Sequence, residues 1–545
     1  MMDKGNKKSD LRDLPNNAAE FIKNVIQKMR YRKKVRQDVH AELTAHFEDE
    51  LQDCKTDEER EQKARQIITG FGDVKLLAIL LRRAKKRCRP LWRKALVRSF
   101  QAVGIVILYI LICSAPLVIG RANVSVNYID WLNEQVRAGR AESQNAYPYY
   151  KQAVESSVKI SDWLKCTCNL VKWPADFNNV EMQALLKFLE DNKEAFALVR
   201  EGVEKPYYWA TYQARQPDLM KSDMMVNVMK LLPDFRQLAY AFTWRILYKE
   251  YKVDVDGALN DCLVLQKFGS HLQGNGLLIE QLLGIAIEAR SHRTMFMILE
   301  KTDVPVNTLK DIQERLHDEF GRDHDIINLE GEKAFLYDYI QRSFTDDGRG
   351  GGRMLVKGVP LAVGDWKSGL WRFVTLSYPD RREVTAKVDQ YYRVAEQAFD
   401  ETPWHAGQED ESEKYMKIAG DSFLLRITAP AHGRIVQLEW RVKTIRLGLL
   451  TVLALERYEK DKGEYPENLS TLVELGYLKE IPDDPYSDGP LVYKKTDKDF
   501  ILYSFGENLI DDGGQVARRD DGSVKQWASE GDWVFRPVSE LQVTQ

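Results

Sequence analysis

The sequence predicts a mainly α chain in four parts. These are a helical domain in the cytoplasm, one transmembrane helix, a large extracytoplasmic helical region, and a small C-terminal α+β domain with a short antiparallel sheet. Three observations predict it. A charge-free apolar run covers residues 99–120. Apolar residues recur at three-to-four spacing through most of the chain, the helical period. Near the C-terminus the pattern changes to alternation, the strand period.

The apolar run carries the most information. Ser99 to Gly120 holds no charged residue. As a helix it reaches about 33 Å, enough for a hydrocarbon core of about 30 Å. Pro116 falls near its end, where a span tolerates proline. The alternative, a buried core helix, does not account for the flanks. Lys75, Arg82, Arg83, Lys85, Lys86, Arg87, Arg89, Arg93, Lys94 and Arg98 precede the run, and no Asp or Glu lies among them. Beyond the run, Arg121 stands alone until Asp130. This asymmetry places the N-terminus in the cytoplasm and the C-terminus outside. The same basic cluster is expected to rest on anionic headgroups of a cell (inner) membrane, so membrane lipid is an expected partner. The run lies too far from Met1 for a cleaved secretory signal and reads as an uncleaved anchor.

The totals exclude other classes. The 545 residues carry a net charge of −3, so the whole chain is no nucleic-acid binder by charge. Six cysteines make no disulfide framework. Cys54 and Cys88 precede the span, Cys113 lies in it, and Cys166, Cys168 and Cys262 follow. Two readings stay open for the last three: one disulfide that includes Cys262, since a Cys166–Cys168 bond is strained, or three isolated small apolar residues.

Residues 1–16 are polar and expected to be disordered. A helical domain fills residues 17–90. Phe21, Val25, Ile26 and Met29 share one face, and Val35, Val39, Leu43, His46, Phe47 and Leu51 continue the spacing. Residues 55–58 break it and open a third helix, with Ala64, Ile67 and Ile68 inward. Gly70 and Gly72 close that helix, and Asp73 caps the next. His40, Glu42 and His46 invite a metal reading. Zinc chelation of that type needs two His four apart with Glu after the first, and here they are six apart. The residues 31–39, 42–50 and 71–78 together resemble the permease-prefix, or helix-turn-helix-associated, signalling domain. The resemblance implies a small coupling domain without catalytic residues.

The region 121–440 is expected to be helical. Tyr147 to Val154 and Glu181 to Arg200 are amphipathic. Three long segments follow: Leu231 to Tyr251, Val255 to Leu272, and Leu277 to Lys301. The short turn at 252–257 makes the first two an antiparallel hairpin. Trp244, Tyr248, Tyr251 and Ala258 have a tetratricopeptide flavour, but no 34-residue period supports it. The glycine-rich run 345–354 lacks the Lys-Ser/Thr ending of a phosphate loop, so a flexible loop is expected. Asp323, His324 and Asp325 are expected on a solvated face. No nucleophile–base or CxxC arrangement emerges.

The region 441–540 closes the chain. Leu447 to Leu455 is an apolar helical run of nine residues, too short to span. Segments 491–495 and 500–505 alternate as paired strands, and 532–536 is a candidate third. The residues 458–466, 469–473, 481–485 and 502–508, with Asp511 to Gly514 after them, resemble the globular part of the type II secretion major pseudopilin. That family's fibre-forming helix is N-terminal, whereas here the matching helix is internal. The resemblance implies a calcium loop at Ser504, Asn508, Asp511 and Asp512, with Asp520 or Asp521 as a further ligand. Calcium supports this, as a hard cation that takes several oxygens. No other cofactor is expected. The expected function is a single-pass, non-enzymatic envelope protein that binds protein partners outside. The alternatives are a secretion- or pilus-related assembly factor and an extracytoplasmic enzyme with a site in the helical region.

Overall fold

The computed structural model describes residues 14–87, 91–160, 173–212, 224–321, 325–355, 379–407, 411–420, 423–520, 522 and 524–537. The chain is mainly helical, with one small sheet. It divides into two compact units, Met1–Ile112 and Cys113–Gln545.

The first unit holds α1 (Asn16–Lys28), α2 (Lys33–Leu51), α3 (Asp57–Phe71), α4 (Val74–Arg87) and the start of α5 (Leu91–Ile119). Local chemistry sets these bounds. Thr56 and Glu59 form a capping box at the start of α3, and Asp57, Glu58 and Glu59 complement the helix dipole there. Gly72 ends α3 at φ +71°, a conformation that favours glycine. Asp73 then accepts from the Lys75 and Leu76 backbone N–H groups, and those bonds lower its pKa. Phe21, Val25, Val39, Phe47 and Leu51 are buried in the shared core. The Phe21 ring stacks 5.8 Å from Phe71. His46 lies exposed with its ring 5.6 Å from Phe71, so packing accounts for it.

Among the described residues, α5 is the one helix long and apolar enough to cross a membrane. Its window Ala95–Ile112 has a mean hydropathy of 2.1 and none of it is buried. The helix begins before the expected Ser99 and ends at Ile119, just short of Gly120.

In the second unit, the helix Val255–His271 packs antiparallel on Met224–Tyr251, as the short turn predicts. The latter starts seven residues before the expected Leu231 and carries Pro233 inside it. Pro233 is exposed. Val255–His271 also packs on Leu278–Lys301 at very short range. A Cβ on Gly284 would lie 2.5 Å from the Gly269 carbonyl oxygen, and one on Gly269 would lie 2.7 Å from that of Gly284. Asp261, fully buried, collects Arg200, Arg245 and Lys249 from two flanking helices, the last at 2.8 Å. Cys262 beside it is a free, buried thiol; Cys166 and Cys168 lie outside the described residues.

Residues 345–354 form a hydrogen-bonded turn. Thr345 N–H donates to Arg353 O at 2.9 Å and Asp347 N–H to Gly351 O at 3.1 Å. Asp325 is exposed, while Asp323 and His324 lie outside the described residues.

The helix Phe423–Lys462 is 40 residues long and runs unbroken through the expected 440/441 boundary. Its apolar stretch packs on the helices Leu278–Lys301 and Val306–Phe320, with Leu449, Val452 and Leu453 buried. The sheet has the order β1 (Val492–Lys495), β2 (Phe500–Ser504), β3 (Trp533–Arg536), all antiparallel. Register pairs Val492 with Tyr503 and Tyr503 with Val534. Phe535 stacks 6.0 Å from Phe296 of the helical region.

The glycine contact makes a stability prediction. Gly284→Ala should lower the stability of the full-length chain by about 1–3 kcal/mol, because backbone cannot move aside cheaply. Urea unfolding followed by tryptophan fluorescence in detergent checks it; an unchanged midpoint would show that the two helices separate without cost.

Candidate functional site

The helix Val255–His271 ends in a polar turn. Gly274 takes φ +66° and donates its N–H to Ile326 O at 3.0 Å. Asn275 Nδ2 donates to Val136 O at 3.1 Å. These bonds hold the turn open beside a cleft of about 650 Å³. Gln135, Arg140, Glu204, Lys205, Tyr207 and Tyr208 line one side. Lys267, Ser270, His271, Gln273, Asn275 and Glu319 line the other.

Several polar groups in the wall are paired. Lys267 Nζ donates to both Glu319 oxygens, at 2.8 and 2.6 Å. Ser270 Oγ donates to Glu319 Oε1 at 2.6 Å. The Ser270 proton is thus directed to a carboxylate that also accepts from a lysine, an arrangement that fixes the wall. Tyr150 OH lies 2.6 Å from His271 Nδ1. Burial pushes the Tyr150 phenol well above its usual pKa, so it keeps its proton. The tautomer of the His271 ring decides which of the two groups donates. At the mouth the Arg140 guanidinium sits 3.9 Å over the Tyr207 ring, and Lys205 Nζ lies 4.9 Å from the Tyr149 ring. The cleft therefore presents mixed donors and acceptors around two tyrosines, which suits a polar ligand of small-molecule size.

Gln273 faces two ways. It lines the cleft, and its Nε2 donates to Glu288 Oε2 at 2.5 Å. Its Oε1 accepts from Arg446 Nη2 at 3.1 Å. Arg446, on the 40-residue helix, also donates to Glu288 through Nε at 2.6 Å and Nη2 at 2.9 Å. Burial pushes the Glu288 carboxyl up, but the Arg446 charge and the bonds from Arg446 and Gln273 outweigh it and hold it at about 2. His292, one turn on, is driven down to about 4 by burial and is neutral at pH 7.

Beneath Tyr208 sits a second buried acid. Burial raises Glu280 to about 7, against bonds from Tyr212 OH, the Leu277 N–H and Tyr208 OH.

The sequence-predicted site residues lie elsewhere. Ser504 is buried and donates through Oγ to Asp484 Oδ1 at 2.7 Å. Asn508 Nδ2 donates to Asp512 Oδ2 at 2.8 Å, and Tyr503 OH to Asp511 Oδ1 at 2.8 Å. Asp532, absent from that set, receives the Asp512 and Gly514 N–H groups at 3.2 and 2.6 Å, and burial pushes it up to about 6. Asp520 is exposed and residue 521 lies outside the described residues. Among the described residues no group of three or more His, Cys, Asp or Glu side chains gathers as a metal site. Of the basic cluster, Arg82, Arg83, Lys85 and Lys86 lie on α4 and Arg98 on α5. Lys85 pairs with Glu42 at 2.5 Å. Residue 89 and the side chains of Arg87, Arg93 and Lys94 lie outside the described residues.

Sequence reasoning missed the whole cleft and the Arg446–Glu288 pair. One signal was available. Glu288 and His292 sit at i and i+4, one turn apart on one face of the same helix. Comparison of the chain with protein-family models, with curated proteins and with solved structures finds no match.

The buried pair makes an asymmetric prediction. Arg446→Met should cost about 3–5 kcal/mol, because it strands the Glu288 charge. The double variant Arg446→Met, Glu288→Gln should recover most of that in the same urea titration. Equal losses for both would show that Glu288 is not held as a buried anion.

Glu280 makes a prediction in pH. Between its unfolded value of 4.5 and its folded value of about 7, the folded chain holds a proton that the unfolded chain has lost. Stability should therefore fall as pH rises through that window, by on the order of 3 kcal/mol, and level off above it. Glu280→Gln should remove that fall; a slope unchanged by the substitution would assign it to another group.

Proposed function

We propose that this chain is a single-pass membrane-anchored envelope receptor without enzymatic activity. In this reading α1–α4 lie in the cytoplasm and α5 is the anchor. The rest lies outside the cell membrane, binds a small polar ligand in the cleft, and engages a protein partner through its pseudopilin-like end. Gln273 carries the reading, because one side chain lines the cleft and also completes the Arg446–Glu288 contact. A ligand that pulls on Gln273 therefore acts on the helix that continues toward the sheet. The uncovered apolar face of α5 and the charge asymmetry of its flanks support the anchor and its direction. The Ser504–Asp512 loop enters as part of the partner-facing end, with calcium as its proposed ion.

A second reading, an extracytoplasmic enzyme, draws on the convergence of His271 and Glu319 at the same cleft. The receptor reading is preferred because the Ser270 and Glu319 groups are already spent on each other and on Lys267.

Two measurements on the full-length chain test the proposal. In spheroplasts, added protease should remove a C-terminal tag and spare an N-terminal one; the reverse pattern overturns the topology. Native mass spectrometry of the chain released from membranes should show a small polar adduct that Lys267→Ala with Arg140→Ala removes. An adduct indifferent to those substitutions, or no adduct at all, overturns the cleft as the ligand site.

A further inference from the structure

α4 has two apolar faces, and its own domain covers only one. Val74, Leu77, Ala78 and Leu81 point into the core of the first unit, Ala78 at 1% exposure. Leu76, Ile79 and Leu80 point away from it, at 57%, 40% and 52% exposure. Their three-to-four spacing makes them one stripe. One turn further along, the same stripe continues as Arg83 and Lys86, both exposed. A surface that changes from leucine to basic side chains along one helical face matches the boundary between acyl chains and anionic headgroups.

We propose that α4 lies on the membrane as an interfacial helix. In it Leu76, Ile79 and Leu80 enter the acyl boundary, and Arg83 and Lys86 pair with anionic lipid. The inference rests on the reading of α5 as the membrane anchor. Two observations select lipid as the occupant. No Asp or Glu occurs from Lys75 to Arg98, so the charge is complementary to anionic lipid over the whole stretch. Only residues 88–90 separate α4 from α5, so the anchor keeps the stripe at high local concentration beside the bilayer. A second copy offering the same face would set Arg83 and Lys86 against themselves. Lys85 is not part of the surface, because it turns to Glu42 within the domain.

The test places a nitroxide on the full-length chain, with its native cysteines replaced, in nanodiscs. The label goes at Ile79→Cys, at Gln66→Cys on the exposed side of α3, or at Val106→Cys in α5. The readout is the ratio of collisions with oxygen to collisions with a nickel chelate, which rises with depth in lipid. In phosphatidylglycerol-rich discs the ratio at 79 should rise severalfold above that at 66 and approach that at 106. It should fall back in phosphatidylcholine discs and on Arg83→Glu with Lys86→Glu. If 106 reports lipid while 79 matches 66, the interfacial helix is overturned and the anchor stands. If 106 itself reports water, the anchor reading fails and takes this inference with it. Dipolar broadening between labels at 79 would name a second copy as the occupant and overturn lipid. The unsubstituted chain gives an independent check that needs no label. Trypsin should cut after Arg82, Arg83 and Lys86 severalfold more slowly in phosphatidylglycerol vesicles than in phosphatidylcholine; equal rates overturn the proposal.

Discussion

The second unit depends on one buried contact, the clasp of Glu288 by Arg446. Removing two charges from water is expensive, and only close geometry with further hydrogen bonds offsets it. Both conditions hold. Arg446 reaches Glu288 through two nitrogens, and Gln273 bonds to both partners. Such a contact adds little net stability over a well-packed apolar pair. Sliding the 40-residue helix by one turn would leave both charges unpaired, which disfavours that register. An apolar run such as Leu447 to Leu455 has no comparable preference for one register, since many leucine contacts are nearly equivalent.

Once that register is set, the C-terminal sheet follows. Arg536 on β3 donates to Leu299 O at 3.2 Å and lies 3.4 Å from Glu456. Gln313 Nε2 donates to Tyr477 O at 2.9 Å, and Arg457 returns a bond to Gln313. Gly448 lets the Phe535 ring lie against the helix backbone, where a Cβ would stand 2.6 Å from it. These contacts tie residues beyond 440 to helices before 320. The sheet is part of the second unit's fabric, and the helix Phe423–Lys462 runs unbroken through 440/441.

Much of this was legible in the sequence, and the division has a physical cause. The strands, the hairpin at residue 254 and the apolar helix near residue 100 rest on local period and local turn chemistry. Each was readable within a window of twenty residues. The α3 start was readable for the same reason, since a capping box spans four positions. The cleft was not. Its wall is drawn from residues near 135–140, 204–208, 267–275 and 319, and no local pattern brings those together. The close approach at Gly269 and Gly284 was hidden too, because a glycine inside a helix reads as a weakness until its neighbour is known. The loop residues were legible for the opposite reason. Ser504, Asn508, Asp511 and Asp512 are close in sequence, and folding turns their polar atoms toward one another and toward Tyr503 and Asp484.

Two apolar runs show why hydropathy needs burial beside it. Leu447 to Leu455 and Ala95 to Ile112 would both draw the eye on a hydropathy plot. The first is short, bracketed by charges, and buried, with Leu449, Leu453 and Leu455 fully covered by protein. The second is twice as long and has none of its residues covered. A long helix left with a fully exposed apolar surface is unstable in water unless something else solvates it, and a bilayer is the solvent whose thickness it fits. The same reasoning extends to α4 at smaller scale. Its uncovered stripe, Leu76, Ile79 and Leu80, is too short to span and is proposed to sit at the acyl boundary. Because only residues 88–90 of the sequence separate it from α5, the solvent proposed for one helix is within reach of the other.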